Sequence, residues 1–269
     1  MSLIPTVTSN KARIAKQFSR AAETYDLAAQ VQLDIALDAM SALVKRYHII
    51  LDLGCGTGRV SHLLADRCDN LVAMDLAFGM LSYAASQRGS AGNAIQWVQA
   101  DAEHLPLADH SVDGLFSSMA LQWCHHPTQV MAEIQRVMKP QSEAILAIMC
   151  EGSFEQLKYS WQQVDDNVHV NSFASPDTWY QGALEQGLTV NMWTKAYTTW
   201  HQDIRHLLSS IKSIGANVLL ARPTAANTAQ LPLSRKVMQQ LENSYQKKYA
   251  ENTQLPLTYQ VCFLHCIKS

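Results

Sequence analysis

The sequence predicts an α/β fold, a mostly parallel sheet with helices on both faces, from three observations. Short apolar runs alternate with stretches of helical periodicity between residues 48 and 149. A glycine-rich turn, "LGCGTG" (53–58), follows the first apolar run directly and precedes a helix. Acids stand at the ends of the next two runs, Asp75 and Asp101, the strand ends at which open α/β sheets bind ligands.

The elements follow in order. From about Asn10 to Leu43 two helices are predicted: Ile14, Phe18, Ala21 and Tyr25 recur at helical spacing, then Val31, Ile35, Ala39 and Leu43. Strands are expected at 48–53, 70–75, 94–101, 112–120 and 143–149, with helices from about Val60, from about Met80 and over Val130–Met138. "KPQ" (139–141) predicts the turn into the fifth strand. Beyond residue 150, helical patterns at 154–165 and 176–186 precede a strand near 188–200. A helical stretch at 203–216, a polar proline-containing region and a helix over Ser234–Tyr249 come next, and "LTYQVCFLHCI" (257–267) closes the chain as a strand. The expected organisation is a single domain over 1–269. Its parts are N-terminal helices (10–44), a ligand-binding core (45–150), remaining core (151–202), a helical lid insertion (203–255) and a final strand (256–269).

Composition narrows the function classes. The 269 residues are 48% hydrophobic, enough for one large core. A net charge of −2 argues against a general nucleic-acid binder. The first residues hold no apolar core of a secretory signal, and no apolar run approaches the ~18 residues that span a bilayer. The six cysteines form no CxxC pair. Buried free thiols in a reducing cytoplasm, and no membrane association, are therefore expected.

Glycines at 54, 56 and 58 strip the turn of Cβ atoms, so a ligand can lie against the backbone. Asp75 lies 21 positions after Gly54, where a carboxylate accepts both hydrogens of a ribose diol. Asp101 reads either as an acceptor for an adenine amino group or as a helix cap. Together these residues point to an adenosine cofactor, a dinucleotide or S-adenosylmethionine. Dinucleotide sites use G-x-G-x-x-G; here the spacing is G-x-G-x-G, with Arg59 in the third-glycine slot. Asp52 beside the turn would repel a pyrophosphate and suit an ammonium, which favours the sulfonium cofactor.

"LDLGCGTG", Asp75, "QADAEHLPL" (99–107) and "DGLFSSMALQW" (113–123) resemble the class I S-adenosylmethionine-dependent methyltransferases. The resemblance implies a Rossmann-like, seven-stranded sheet whose last strand is antiparallel. It also implies that Asp52, Gly54, Cys55 and Gly56 face the methionine end, Asp75 the ribose, Asp101 and Ala102 the adenine, with Leu76 and Met80 beside the adenosine. "FSRAAETYDLAAQVQ" (18–32), "MALQWC" (119–124), "SIKSIGAN" (210–217) and "PLTYQVCF" (256–263) are similar to the malonyl-acyl-carrier-protein O-methyltransferases of biotin biosynthesis. That likeness implies methylation of the free carboxylate of malonyl-acyl carrier protein or malonyl-CoA, with S-adenosyl-L-homocysteine as co-product.

A malonyl carboxylate is ionised at pH 7, so no general base is expected. Holding the reacting atoms in line contributes up to ~7–11 kcal/mol. Gln122 as a donor to the carboxylate, Trp123 as a wall and Tyr25 as part of a lid are the candidates for placing the acceptor. Trp123 also reads as plain core, and Arg20, which with Tyr25 would fold over the cofactor as a lid, also reads as a solvated surface charge. His125 and His126 beside Cys124 are too close in sequence to converge on one ion, and no metal is expected. An acidic carrier partner calls for a basic face, with Lys212 and Arg205 the preferred contacts. Arg13, Lys16, Arg20, Arg222, Arg235–Lys236 and Lys247–Lys248 are further basic candidates. Three other readings stay open: a methyltransferase acting on another small acid, quinone or phenol, an NAD-dependent oxidoreductase, and a non-catalytic S-adenosylmethionine-binding protein.

Overall fold

The computed structural model describes residues 7–88, 95–216, 219 and 234–269. Its strands are β1 (Tyr47–Leu53), β2 (Cys68–Asp75), β3 (Ile95–Gln99), β4 (Val112–Ser118), β5 (Met138–Met149), β6 (Leu188–His201) and β7 (Leu255–Lys268). They form one sheet in the order β3-β2-β1-β4-β5-β7-β6. Pairings among β1–β5 are parallel, and β7 runs antiparallel to both β5 and β6. The expected seven strands and antiparallel last strand are therefore present. Strand order reverses between the adjacent β1 and β4, so the chain leaves their carboxyl ends in opposite directions and opens a crevice there.

The central strands carry apolar side chains on both faces, which is why they read as unbroken apolar runs. Ile50, Leu71, Phe116 and Ile145 feed one cluster with Ile35 of α2 (Gln30–Met40) and Trp161 of α6 (Glu155–Gln162). Their neighbours Leu51, Val72, Leu115 and Leu146 feed the other, with Ile134 of α5 (Pro127–Val137) and Trp179 of α7 (Pro176–Glu185). Burying each such side chain stabilises the fold by roughly 1.5–3 kcal/mol.

β6 and β7 are joined through α8 (Ile204–Ser213) and α9 (Arg235–Tyr249). Asp203 caps α8 by accepting from the His206 N–H, and Ser234 caps α9 by accepting from Val237. At the other terminus α1 (Val7–Ala28) packs against both α8 and α4 (Phe78–Arg88). A Cβ added at Gly79 of α4 would lie 2.6 Å from Ser19 Cβ, so glycine is what lets α1 lie this close. The short α3 (Ser61–Ala65) follows the glycine turn.

Of the boundaries that differ from expectation, three have a distinct local reason. β5 begins at Met138, so "KPQ" lies inside the strand rather than before it. Pairing jumps from Val112–Met138 to Gly114–Glu143. The extra residues bulge out through Gln141 at φ 62°, closed by Ser142 Oγ donating to the Lys139 carbonyl. β3 ends at Gln99, and Asp101 sits beyond it in a bridge to His104. β4 stops at Ser118 because Met119 turns left-handed, φ 55°, into a 3-10 turn over Leu121–Trp123. Ala94, predicted as the first residue of β3, and Arg222 lie outside the described residues. Among the described residues no helix is long and apolar enough to cross a membrane.

Candidate active site

Where β1 ends, the Gly54 and Cys55 N–H groups both donate to the Met74 carbonyl, at 2.7 and 2.9 Å. This fastens the glycine turn to β2. Gly54 has φ 81°, and a Cβ there would fall 2.1 Å from Ala120 Cβ; the turn and the chain after β4 touch with no room for a side chain. Gly56, at φ 55°, has nothing within 4 Å of its missing Cβ and borders open space. The turn's bareness thus has two causes, close backbone approach at Gly54 and access for a ligand at Gly56.

Asp75 anchors the same turn. One carboxylate oxygen accepts from Gly56 N–H at 2.9 Å and the other from Ala77 N–H at 2.7 Å. Each oxygen retains a second lone pair for a ligand. Burial raises the Asp75 pKa, with the backbone donors opposing it.

Two cavities meet over these strand ends. The first is lined by Asp75, Leu76, Met80, Asp101 and Ala102, with Trp123, Phe18 and Lys11. The second is lined by Asp52, Cys55, Thr57, Arg59 and Asp26. Tyr25, Gly54, Gly56, Ser118 and Met119 line both. The structure therefore gathers every predicted cofactor residue at one crevice, the adenosine set at the first cavity and Asp52 and Cys55 at the second. The cradle left by Gly56 and the open lone pairs of Asp75 fit an adenosyl group carrying a ribose diol.

Helix α1 roofs the crevice and is tied down at both ends. Near its start, Lys11 Nζ lies 2.5 Å from Asp101 Oδ2 and 2.7 Å from Glu103 Oε2. Burial disfavours the Lys11 charge, but the two carboxylates outweigh it and raise its pKa. Conversely, burial works against the Asp101 and Glu103 charges, yet Lys11 holds both pKa values below the ordinary range. Near the end of α1, Asp26 accepts from Thr57 Oγ1, and its carbonyl accepts from Arg59.

Asp52 is buried, and Ser61 Oγ donates to its Oδ2 at 2.6 Å. Burial pushes its pKa up to about 7, opposed by the Ser61 hydrogen bond and aided by the Asp75 charge. A cationic ligand group binds the ionised form, so below pH 7 each binding event must first remove a proton. An α-amino group stays charged below its pKa of about 7.7–8.0. With Asp52 facing the amino group as expected from the sequence, S-adenosylhomocysteine affinity should fall about 50-fold between pH 7 and pH 5, approaching tenfold per unit. Calorimetry across this range checks it, and Asp52→Asn should flatten the profile.

The substrate-side candidates separate. Trp123 lines the first cavity and packs edge-on against Phe18, with ring centroids 5.5 Å apart. Tyr25 lines both cavities. Gln122 lines neither cavity: its amide nitrogen donates to the Met119 carbonyl at 2.7 Å and its oxygen is buried without a described partner. The expected direct grip by Gln122 is therefore replaced by a contact to the backbone of a residue that does line the crevice. Lys212 and Arg205 are exposed on α8, outside the crevice. Among the described residues no group of three or more His, Cys, Asp and Glu side chains is placed to hold a metal. His125 and His126 instead donate their backbone N–H groups to Glu103. Sequence reasoning missed Lys11 and Ser118, neither of which stands in a spacing that signals a site.

The family described as "Methyltransferase domain" matches residues 51–146. The chain is 34% identical to the malonyl-[acyl-carrier protein] O-methyltransferase of Hamiltonella defensa, over 94% of this chain and 93% of that protein. It is also 34% identical to the biotin biosynthesis bifunctional protein BioHC of Cellvibrio japonicus, over 95% of this chain but 50% of that longer protein. Among solved structures, the YcgJ protein from Bacillus subtilis superposes with a TM-score of 0.60 at 17% identity, covering 87% of this chain and 97% of that one. That last likeness shows the fold alone. The end-to-end identity to the Hamiltonella enzyme goes further: the chain belongs to the malonyl-[acyl-carrier protein] O-methyltransferase family, within the class I methyltransferase fold.

Proposed function

We propose that this protein transfers a methyl group from S-adenosyl-L-methionine to the free carboxylate of malonyl-acyl carrier protein, forming the malonyl methyl ester used in biotin biosynthesis. One observation carries the reading. Gly56, Asp75 and Asp101 converge on a single crevice in a chain that matches these methyltransferases over nearly its whole length.

When bound, the cofactor supplies an electrophilic methyl carbon on a sulfonium. The chain's residues do the rest. Asp75 accepts from the ribose hydroxyls, Asp101 and Ala102 border the purine, and Leu76 and Met80 pack beside it. Asp52 balances the ammonium across the second cavity. Trp123 and Phe18 exclude water from the first. The acceptor arrives already ionised, so this reading assigns no general base. Free cysteines, five of six buried, suit a reducing cytoplasm, where we place the enzyme.

We assign carrier docking to the surface made by α8 with α1. Lys212 and Arg205 are exposed on α8, and Lys16 and Arg20 on the helix packed against it. A Cβ at Gly215 would stand 3.3 Å from the Gln17 carbonyl and Phe18 Cα, so the chain at the end of α8 rests directly on α1. Charge reversal of Lys212 and Arg205 to glutamate should raise KM for the malonyl carrier protein at least tenfold at low salt while leaving S-adenosylhomocysteine affinity intact. An unchanged KM would remove these residues from the interface. The function itself is tested by mass spectrometry of malonyl-carrier protein after incubation with S-adenosylmethionine. One added methyl is expected, and none on acetyl-carrier protein, which lacks the terminal carboxylate.

A further inference from the structure

Ser118, the last residue of β4, lines both cavities. Its hydroxyl oxygen is buried, and no described residue hydrogen-bonds to it. Leaving such a group unpaired costs roughly 1–3 kcal/mol. The next residue, Met119, is held at φ 55°, an unfavourable region for a non-glycine residue that costs about 1–3 kcal/mol. Met119 is fixed from both sides: its N–H donates to the Ala147 carbonyl at 2.8 Å, and its carbonyl accepts from Gln122. Two locally unfavourable arrangements in succession, where the two cavities meet, mark a position kept for contact with a ligand.

We propose that Ser118 Oγ donates a hydrogen bond that seats the acceptor carboxylate, with the Tyr25 hydroxyl as second donor and Gln122 as a positioning residue acting through Met119. The inference rests on the methyl-transfer reading above. Tyr25, half-buried, lines the same junction as Ser118. Burial first, then the Asp75 and Asp26 charges, raise its pKa and keep it a donor.

The reaction favours neutral donors. A lone pair on the carboxylate oxygen forms the bond to the methyl carbon while the carbon–sulfur bond breaks with its electrons passing to sulfur. An anion and a sulfonium become a neutral ester and a neutral thioether, and no proton moves. The carboxylate's charge is therefore greatest before the reaction and declines through the transition state. A guanidinium on the attacking oxygen would stabilise the ground state most and so raise the barrier. Hydroxyls hold the oxygen with less of that penalty. The cations that line the crevice are already engaged, Arg59 on the Asp26 carbonyl and Lys11 on Asp101 and Glu103.

Calorimetry on the intact protein saturated with S-adenosylhomocysteine separates a carboxylate seat from other roles. Wild-type protein should bind malonyl-carrier protein more tightly than acetyl-carrier protein. Ser118→Ala should cut that preference roughly tenfold, the loss expected for one hydrogen bond to a charged acceptor, with S-adenosylhomocysteine affinity unchanged. Ser118→Thr, which keeps the hydroxyl, should restore most of it. Gln122→Glu, which loses the donor to Met119 at constant size, should behave like Ser118→Ala. An undiminished malonyl preference in Ser118→Ala overturns the inference. A matching fall in S-adenosylhomocysteine affinity also overturns it, because the hydroxyl would then serve the cofactor. Wild-type protein that adds no methyl to malonyl-carrier protein overturns the function and this inference together; active wild-type protein with unimpaired variants overturns this inference alone.

Discussion

Asp75→Ala is expected to remove S-adenosylhomocysteine binding from the range calorimetry can measure, and methyl transfer with it. The carboxylate has two duties at once. Outward, in the role proposed above, it offers lone pairs to the ribose diol, two hydrogen bonds to a charged acceptor worth roughly 1.5–3 kcal/mol each. Their loss alone weakens binding by about 10²–10⁴-fold. Inward, it accepts from Gly56 and Ala77 N–H groups and so shapes the turn on which the ligand lies. Asp75→Asn should fail nearly as badly: an amide presents one acceptor oxygen, and its NH₂ would face one of those two backbone N–H donors. Glutamate, which retains both oxygens but displaces them by a methylene, should recover part of the affinity. If Asp75→Ala binds within tenfold of wild type, the ribose does not sit at this strand end.

The strand–helix alternation carried most of the fold because both-faced burial leaves a local record. Ile50 and Leu51, or Ile145 and Leu146, are adjacent apolar residues that serve opposite cores. A segment rich in such pairs reads as a central strand without knowledge of its neighbours. Boundaries were less legible because they depend on contacts distant in sequence. Nothing in "KPQS" says that Met138 will pair with Val112 before the bulge begins. Likewise Met119 bears no mark of a left-handed residue; the Ala147 carbonyl and the Gln122 amide impose that conformation.

That the glycine turn and the strand-end acids would meet at one crevice was legible for a related reason. Backbone carries it, and backbone contacts demand glycine or a short acid at fixed places along the chain. The rest of the crevice lining, where we propose the acceptor sits, is built from side chains supplied by α1, the end of β4 and the turn after it. Lys11 and Asp101 lie 90 positions apart yet form an ion pair, and no local pattern announces such a partner. Gln122 was expected to face the crevice but folds back onto the Met119 carbonyl, since a polar residue after a strand end can do either and only packing decides.

Gly54→Ala is expected to destabilise the protein and abolish cofactor binding together, through two separable causes. At φ 81° an L-residue meets its own carbonyl, a penalty of roughly 1–2 kcal/mol. The new methyl would also stand 2.1 Å from Ala120 Cβ. No flexible side chain can swing away from that contact, so backbone must move, at roughly 1–3 kcal/mol or more. The sum, about 2–5 kcal/mol, is a large part of a typical stability of ~5–15 kcal/mol. Thermal unfolding should shift downward by roughly 5–15 °C. The movement should also loosen the Gly54 and Cys55 donors from the Met74 carbonyl, and with them the seat of the ligand. A compensating change distinguishes the causes. Ala120→Gly in the Gly54→Ala background removes one of the two colliding methyls, so it should return the packing component and most of the binding while leaving the backbone penalty in place. Should the double variant be no better than the single, the close approach of the turn to the chain after β4 is not what demands glycine at position 54.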